Sequence, residues 1–383
     1  MNSQRWLSFG FLFFFITWGI FLPYWTGWLT NVQGLSVTSA SIIMGVGMIV
    51  RSLSTFFLFP QLSKQQPLVS IIRWMTIGSI VFLLLYIPAS SFTALLLITA
   101  AFSIFYPTIL PAIESSASVL MQKEHIHYGK SRSYGSIGYT LALLAVGGLT
   151  GYFGEQAILY AMLVALVVVL FFFSQPAPQF LTQLPEKQPA EKRVTMKELF
   201  RSKQFLVIGI LAVLLQGSHT AYYNYGFIYL DDLHVSGIWI GVILNIAVIF
   251  EILFFTNADR FFSKWKVSTM FMVASIGSTL RWVLIYLFPL TEVFVVTQVL
   301  HAVSFGFAHF AFIQYISHQL PEKHIPTAQG FYAAVAMSLS VALLTFPAGY
   351  LYDLQPGFAF LGMTLCSIPA IFIILTTKKK YNY

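Results

Sequence analysis

The sequence predicts an all-α membrane protein: twelve transmembrane helices in two six-helix halves. Three observations carry that prediction. Of 383 residues, 57% are hydrophobic and only 9% charged, far below the roughly 25% charged residues of soluble domains. Apolar runs of about 20 residues, enough to cross a hydrocarbon core, recur along the whole chain. One long polar stretch, residues 175–204 with Pro176, Pro178, Pro185 and Pro189, divides these runs six and six. Two similar halves about a polar linker is the pattern of secondary transporters.

In order, spans are expected at 6–29, 38–60, 68–87, 92–115, 131–153, 156–174, 205–230, 236–257, 267–288, 292–318, 326–351 and 357–376. They define an N-terminal bundle over 1–174, a cytoplasmic linker over 175–204 and a C-terminal bundle over 205–383. The first span follows a lone Arg5 and contains Trp18, Pro23 and Trp25. It is too long for a cleaved signal and lacks a small-x-small cleavage site, so it is expected to be retained. Pro107 and Pro111 should bend the fourth span just before Glu114. In the fifth, Gly135, Gly138, Gly147 and Gly151 let a neighbouring helix approach closely. Most connections are a few residues long, which makes successive spans antiparallel neighbours.

The formal charge of +8 is not spread evenly. With the N-terminus inside, Arg5, Lys64, Arg73, Lys123, Lys130, the linker, Arg260, Lys264, Lys266, Lys323 and Lys378 to Lys380 share one side. The opposite loops carry Glu155, Asp231, Asp232, Glu292 and Asp353, with no lysine or arginine. The basic excess is therefore an orientation signal that places both termini in the cytoplasm, and not the footprint of a nucleic-acid binder. A single cysteine, Cys366, excludes an internal disulfide and a cysteine metal cage. The adjacent acids Asp231 and Asp232 lie on an external loop, where they do not serve a membrane transferase. With no sizeable soluble domain, a sensor is also disfavoured. No enzymatic activity, metal or cofactor is expected beyond a coupling proton, and the chain is expected to act as a monomer.

Function is read from charges inside the membrane, which are expensive unless paired or lining a wet cavity. Glu114 and Arg132 flank a polar turn whose midpoint, Lys123, is nine residues from each, so an antiparallel hairpin returns them to one depth. Besides histidines, Arg51, Glu114, Arg132, Glu251 and Arg281 fall within or beside spans. Three bases against two acids leave one positive charge that a substrate carboxylate can neutralise with two parallel hydrogen bonds. About the turn near Pro289, Arg281 and His301 differ in depth by about 6 Å, and Glu251 lies nearer the cytoplasmic face. Acid, guanidinium and imidazole on three consecutive helices make a proton-coupling group. By position alone His309 reads as a hydrogen-bonded core residue, while His219, near Gln216, Tyr222 and Tyr223, is open to either role. Aromatic residues make up 17%; a few in a cavity would stack on an aromatic substrate.

YGKSRSYGSIGY (Tyr128 to Tyr139), with Pro111 to Glu114, resembles the corresponding hairpin of the lactose permease branch of the major facilitator superfamily. The resemblance implies substrate binding by Glu114 and Arg132 and stacking by Tyr139. Glu251, Arg281 and His301 match that branch's substrate- and proton-linked residues. Where the sugar permease has a second acid one turn beyond the histidine, this chain has Ser304, so its coupling is not copied unchanged. NADRFFSKWK (Asn257 to Lys266) is a degraded form of the superfamily's G-x-x-x-D-R-x-G-R-R/K loop, in which Asp259 and Arg260 would latch neighbouring helices.

A fuller similarity, over nearly all the chain outside the linker, is to the phenylpropionate permease family. It rests on WGIFLPYW (Trp18 to Trp25), LLQGSHTAYY (Leu214 to Tyr223), LRW (Leu280 to Trp282), QVLH (Gln298 to His301) and YAAVAM (Tyr332 to Met337). Arg51, His219 and His309 match as well. The resemblance implies uptake of an aromatic monocarboxylate, 3-phenylpropionate, by proton symport across a bacterial inner membrane. Glu114, Arg132, Tyr139, Arg51 and His219 would bind the substrate, and Glu251, Arg281, His301 and His309 would carry coupling. A proton-linked sugar or nucleoside symporter of the same fold is the rival reading.

Overall fold

A computed structural model of the chain describes residues 2–124, 126–184, 196–321 and 324–383. Among them the regular structure is helical throughout. Eleven helices are long and apolar enough to cross a membrane. In chain order these are α1 (Ser3–Val32), α2 (Val37–Gln65), α4 (Phe92–Met121), α5 (Lys130–Phe153), α6 (Gln156–Ser174), α7 (Lys203–Asp232), α8 (Gly237–Ala258), α9 (Val267–Leu287), α10 (Thr291–Gln319), α11 (Thr327–Leu354) and α12 (Pro356–Tyr381). The remaining expected span is the shorter apolar helix α3 (Leu68–Leu84). It gives way to a turn just before Pro88, which cannot continue a helix. Pro185, Pro189 and Lys323, and the side chain of Asp259, lie outside the described residues.

The helix starts follow local chemistry. Side chains of Asn2, Ser36, Ser91 and Ser202 accept the backbone N–H three residues on, capping α1, α2, α4 and α7. At the other end of α6, the carbonyl of Phe173 accepts from Arg73 Nε at 2.7 Å.

The chain divides into two compact units, one of Met1–Lys187 with Ser236–Val242 and one of Gln188–Val235 with Ile243–Tyr383. In the first, α1 and α5 pack backbone to backbone. A Cβ added to Gly138 would collide with the Leu12 carbonyl, and one added to Gly19 would lie 2.8 Å from the Tyr139 carbonyl oxygen. In the second, Phe205, Phe271, Phe312, Tyr315 and Ile374 are fully buried in one apolar core.

Several spans are not plain α-helices. A 3₁₀ turn at Tyr106–Thr108 interrupts α4 at Pro107, as its prolines predict. In α7 the helix stops at Gly217 and resumes at Thr220. Wider π-helical turns occupy Ser54–Leu58 of α2, Ala302–Gly306 of α10 and Tyr332–Leu339 of α11. The first begins three residues after Arg51, the second directly after His301 and the third at Tyr332, in keeping with the association of π-turns with functional sites.

Candidate functional site

The hairpin between α4 and α5 forms as its spacing predicts. The first helix runs to Glu124 and the second starts at Tyr128. Arg132 Nε lies 3.8 Å from Glu114 Oε1, and each side chain keeps 36% of its surface exposed. At that exposure the pair adds little stability; its value lies in orientation. The Tyr128 hydroxyl donates to Glu114 Oε2 at 2.9 Å. Burial, and then the adjacent Glu114 carboxylate, push the Tyr128 phenol above its ordinary range, so it remains a donor. The Arg132 guanidinium carbon stands 4.2 Å from the centre of the Phe15 ring, a cation–π contact. Tyr139 is half-buried on α5, about 10 Å further along the same helix face.

Arg51, on α2, differs from Arg132. Its guanidinium carbon lies 4.4 Å from the Trp18 ring centre. Among the described residues no acid lies within ion-pair distance of it. It lines a small cavity of about 20 Å³ with Trp18, Met44, Thr99 and Ser103, room for about one water.

In the second unit three of the expected residues meet. Arg281 on α9 is fully buried, its guanidinium carbon 4.3 Å from the centre of the Tyr222 ring and 4.7 Å from that of Trp282. One terminal nitrogen donates to His301 Nδ1 at 2.9 Å and the other lies 3.4 Å from Gln298 Oε1. His301 Nε2 in turn lies 3.5 Å from Glu251 Oε2. A guanidinium has only donors, so His301 Nδ1 must accept. Its single proton therefore sits on Nε2, facing Glu251. Arg281 Nε is buried without an acceptor among the described residues, a costly state for a charged donor.

His219 lies at the break in α7 and is fully buried. Its Nδ1 donates to the Leu215 carbonyl at 2.8 Å, leaving Nε2 to accept from the Ser304 hydroxyl at 2.9 Å. Ser304, where the lactose permease branch carries a second acid, thus holds a histidine. The His219 and His301 ring centres are 5.5 Å apart. His309, half-buried one π-turn beyond, bonds the Tyr332 hydroxyl through Nδ1 at 2.9 Å. The partners Tyr128, Gln298 and Tyr332 were not singled out as site residues in the sequence. Gln298, three residues before His301, shares its helix face, a signal that was available.

The chain matches the MFS_1 like family over residues 4–361. It is 26% identical over 374 residues to the probable 3-phenylpropionic acid transporter of Escherichia coli (strain K12), covering 97% of each chain. It is also 26% identical over 298 residues to the maltose permease of Geobacillus stearothermophilus, covering 77% of this chain and 74% of that one. Its fold matches the crystal structure of the nucleoside transporter NupG at a TM-score of 0.84 and 16% identity, over 100% of both chains. The chain therefore belongs to the MFS_1 like family, is a transporter of the major facilitator superfamily and not an enzyme, and is embedded in the membrane by multiple helices.

Proposed function

We propose that this chain imports an aromatic monocarboxylate, 3-phenylpropionate, in symport with a proton. The observation that carries the reading is Arg51: a guanidinium inside a span, beside an aromatic ring, with no acid of its own among the described residues. A carboxylate fits its two parallel donors; the space beside Arg51 holds about one water, so seating the aromatic acid requires the surrounding helices to part as access alternates. Arg132, oriented by Glu114, and Tyr139 on the same helix face supply further contacts. The similarity to the probable 3-phenylpropionic acid transporter, over 97% of both chains, supports this substrate class.

Coupling is assigned to Glu251, His301 and Arg281. Held by Arg281, His301 has no free lone pair for a second proton, so Glu251 takes the coupled one. A neutral Glu251 draws the His301 N–H less strongly, and Arg281 is then able to find new partners. The chain acts as a monomer in the bacterial inner membrane, with both termini cytoplasmic and the two bundles alternating access.

Membrane vesicles test the reading. An imposed inside-alkaline pH gradient should raise accumulation of labelled 3-phenylpropionate, and a protonophore should abolish the rise. The Glu114–Arg132 pair and the maltose permease relative favour, as a second reading, symport of a sugar or nucleoside. Effective competition by either, with no uptake of the aromatic acid itself, would overturn the first reading in favour of the second.

A further inference from the structure

A cavity of about 430 Å³ lies in the second unit and belongs to neither group above, except through its edge at His309. Its volume falls in the small-molecule range of about 300–1,000 Å³. The lining is two-sided. Phe255 of α8 with Phe310 and Ile313 of α10 make an apolar wall, while His309, Gln314 and His318 bring polar groups. No acid lines it. The histidine at its edge is fixed in one tautomer. Gln216 Nε2 donates to the buried Tyr332 hydroxyl at 2.7 Å, and the Tyr332 proton, with no other acceptor among the described residues, goes to His309 Nδ1 at 2.9 Å. His309 must then carry its own proton on Nε2, and among the described residues that nitrogen has no hydrogen-bond partner. An N–H donor beside an aromatic wall suits the carboxylate and the ring of an amphipathic anion.

We propose that this cavity is a second station for the transported aromatic carboxylate, separate from Arg51. The ring rests against Phe255 and Phe310, and the carboxylate accepts from His309 Nε2–H with Gln314 or His318. Gln216 and Tyr332 are positioning residues that set the direction of the donor. The identity of the ligand rests on the aromatic-acid reading above.

The test is equilibrium binding of labelled 3-phenylpropionate to the full-length purified chain in detergent, each variant being checked by thermal unfolding. The wild type should show two classes of site. Arg51→Gln should remove one. His309→Phe, and Ile313→Trp, which fills the cavity without touching the polar network, should each weaken the other about tenfold or more. His309→Gln keeps an N–H donor and should retain it. A single class, lost in Arg51→Gln and unchanged in Ile313→Trp, would sink the second station and leave the transport reading standing. Absence of any aromatic-acid binding would remove both.

Discussion

At the scale of residues, the pairings depended on two kinds of information. Glu114 with Arg132, and Arg281 with His301 and Glu251, were legible because distance from a turn sets depth in a hairpin. Which nitrogen faces which partner was not, since that depends on helix rotation and rotamer. The bond from Tyr128 to Glu114 and the bond from Ser304 to His219 are of this second kind. Two predictions belong here. Arg132→Lys should abolish most uptake, because a lysine ammonium cannot form the planar two-donor fork; uptake by that variant at the wild-type rate in vesicles would take Arg132 out of the site. Glu251→Gln should keep exchange of labelled for unlabelled substrate but lose accumulation against a gradient, and exchange should become insensitive to pH. If His301→Gln gives that signature and Glu251→Gln does not, the proton belongs to the histidine.

At the scale of elements, the apolar runs located the spans, and Pro107 marked the interruption of α4. The π-turns had no such marker: Ser54–Leu58 and Ala302–Gly306 contain no proline. Packing between α1 and α5 gives a prediction with a definite sign. Helix propensity alone would make Gly138→Ala stabilising by about 1 kcal/mol. The Leu12 carbonyl occupies the space that the new methyl needs, so the variant should instead be destabilised by about 1–3 kcal/mol. The thermal midpoint in detergent decides it; a rise would show that the two backbones are not in close contact.

At the scale of the whole molecule, the six-and-six arrangement and the membrane class were legible in composition, because a hydrocarbon solvent permits few architectures. The cargo is less legible, since one fold serves acids, sugars and nucleosides. For a one-to-one symporter, each unit of pH gradient should sustain about a tenfold concentration ratio of substrate. Accumulation that ignores the gradient would make the chain a facilitator. One feature of the spans bears on how such work is transmitted. A π-turn stores one residue more than its α-helical neighbours need, and that surplus is able to move along a helix as a ruck moves along a carpet. Each step swings the side chains it passes by about 100°. With rucks placed beside Arg51, His301 and Tyr332, the membrane helices have a means of re-aiming their polar groups without being taken apart.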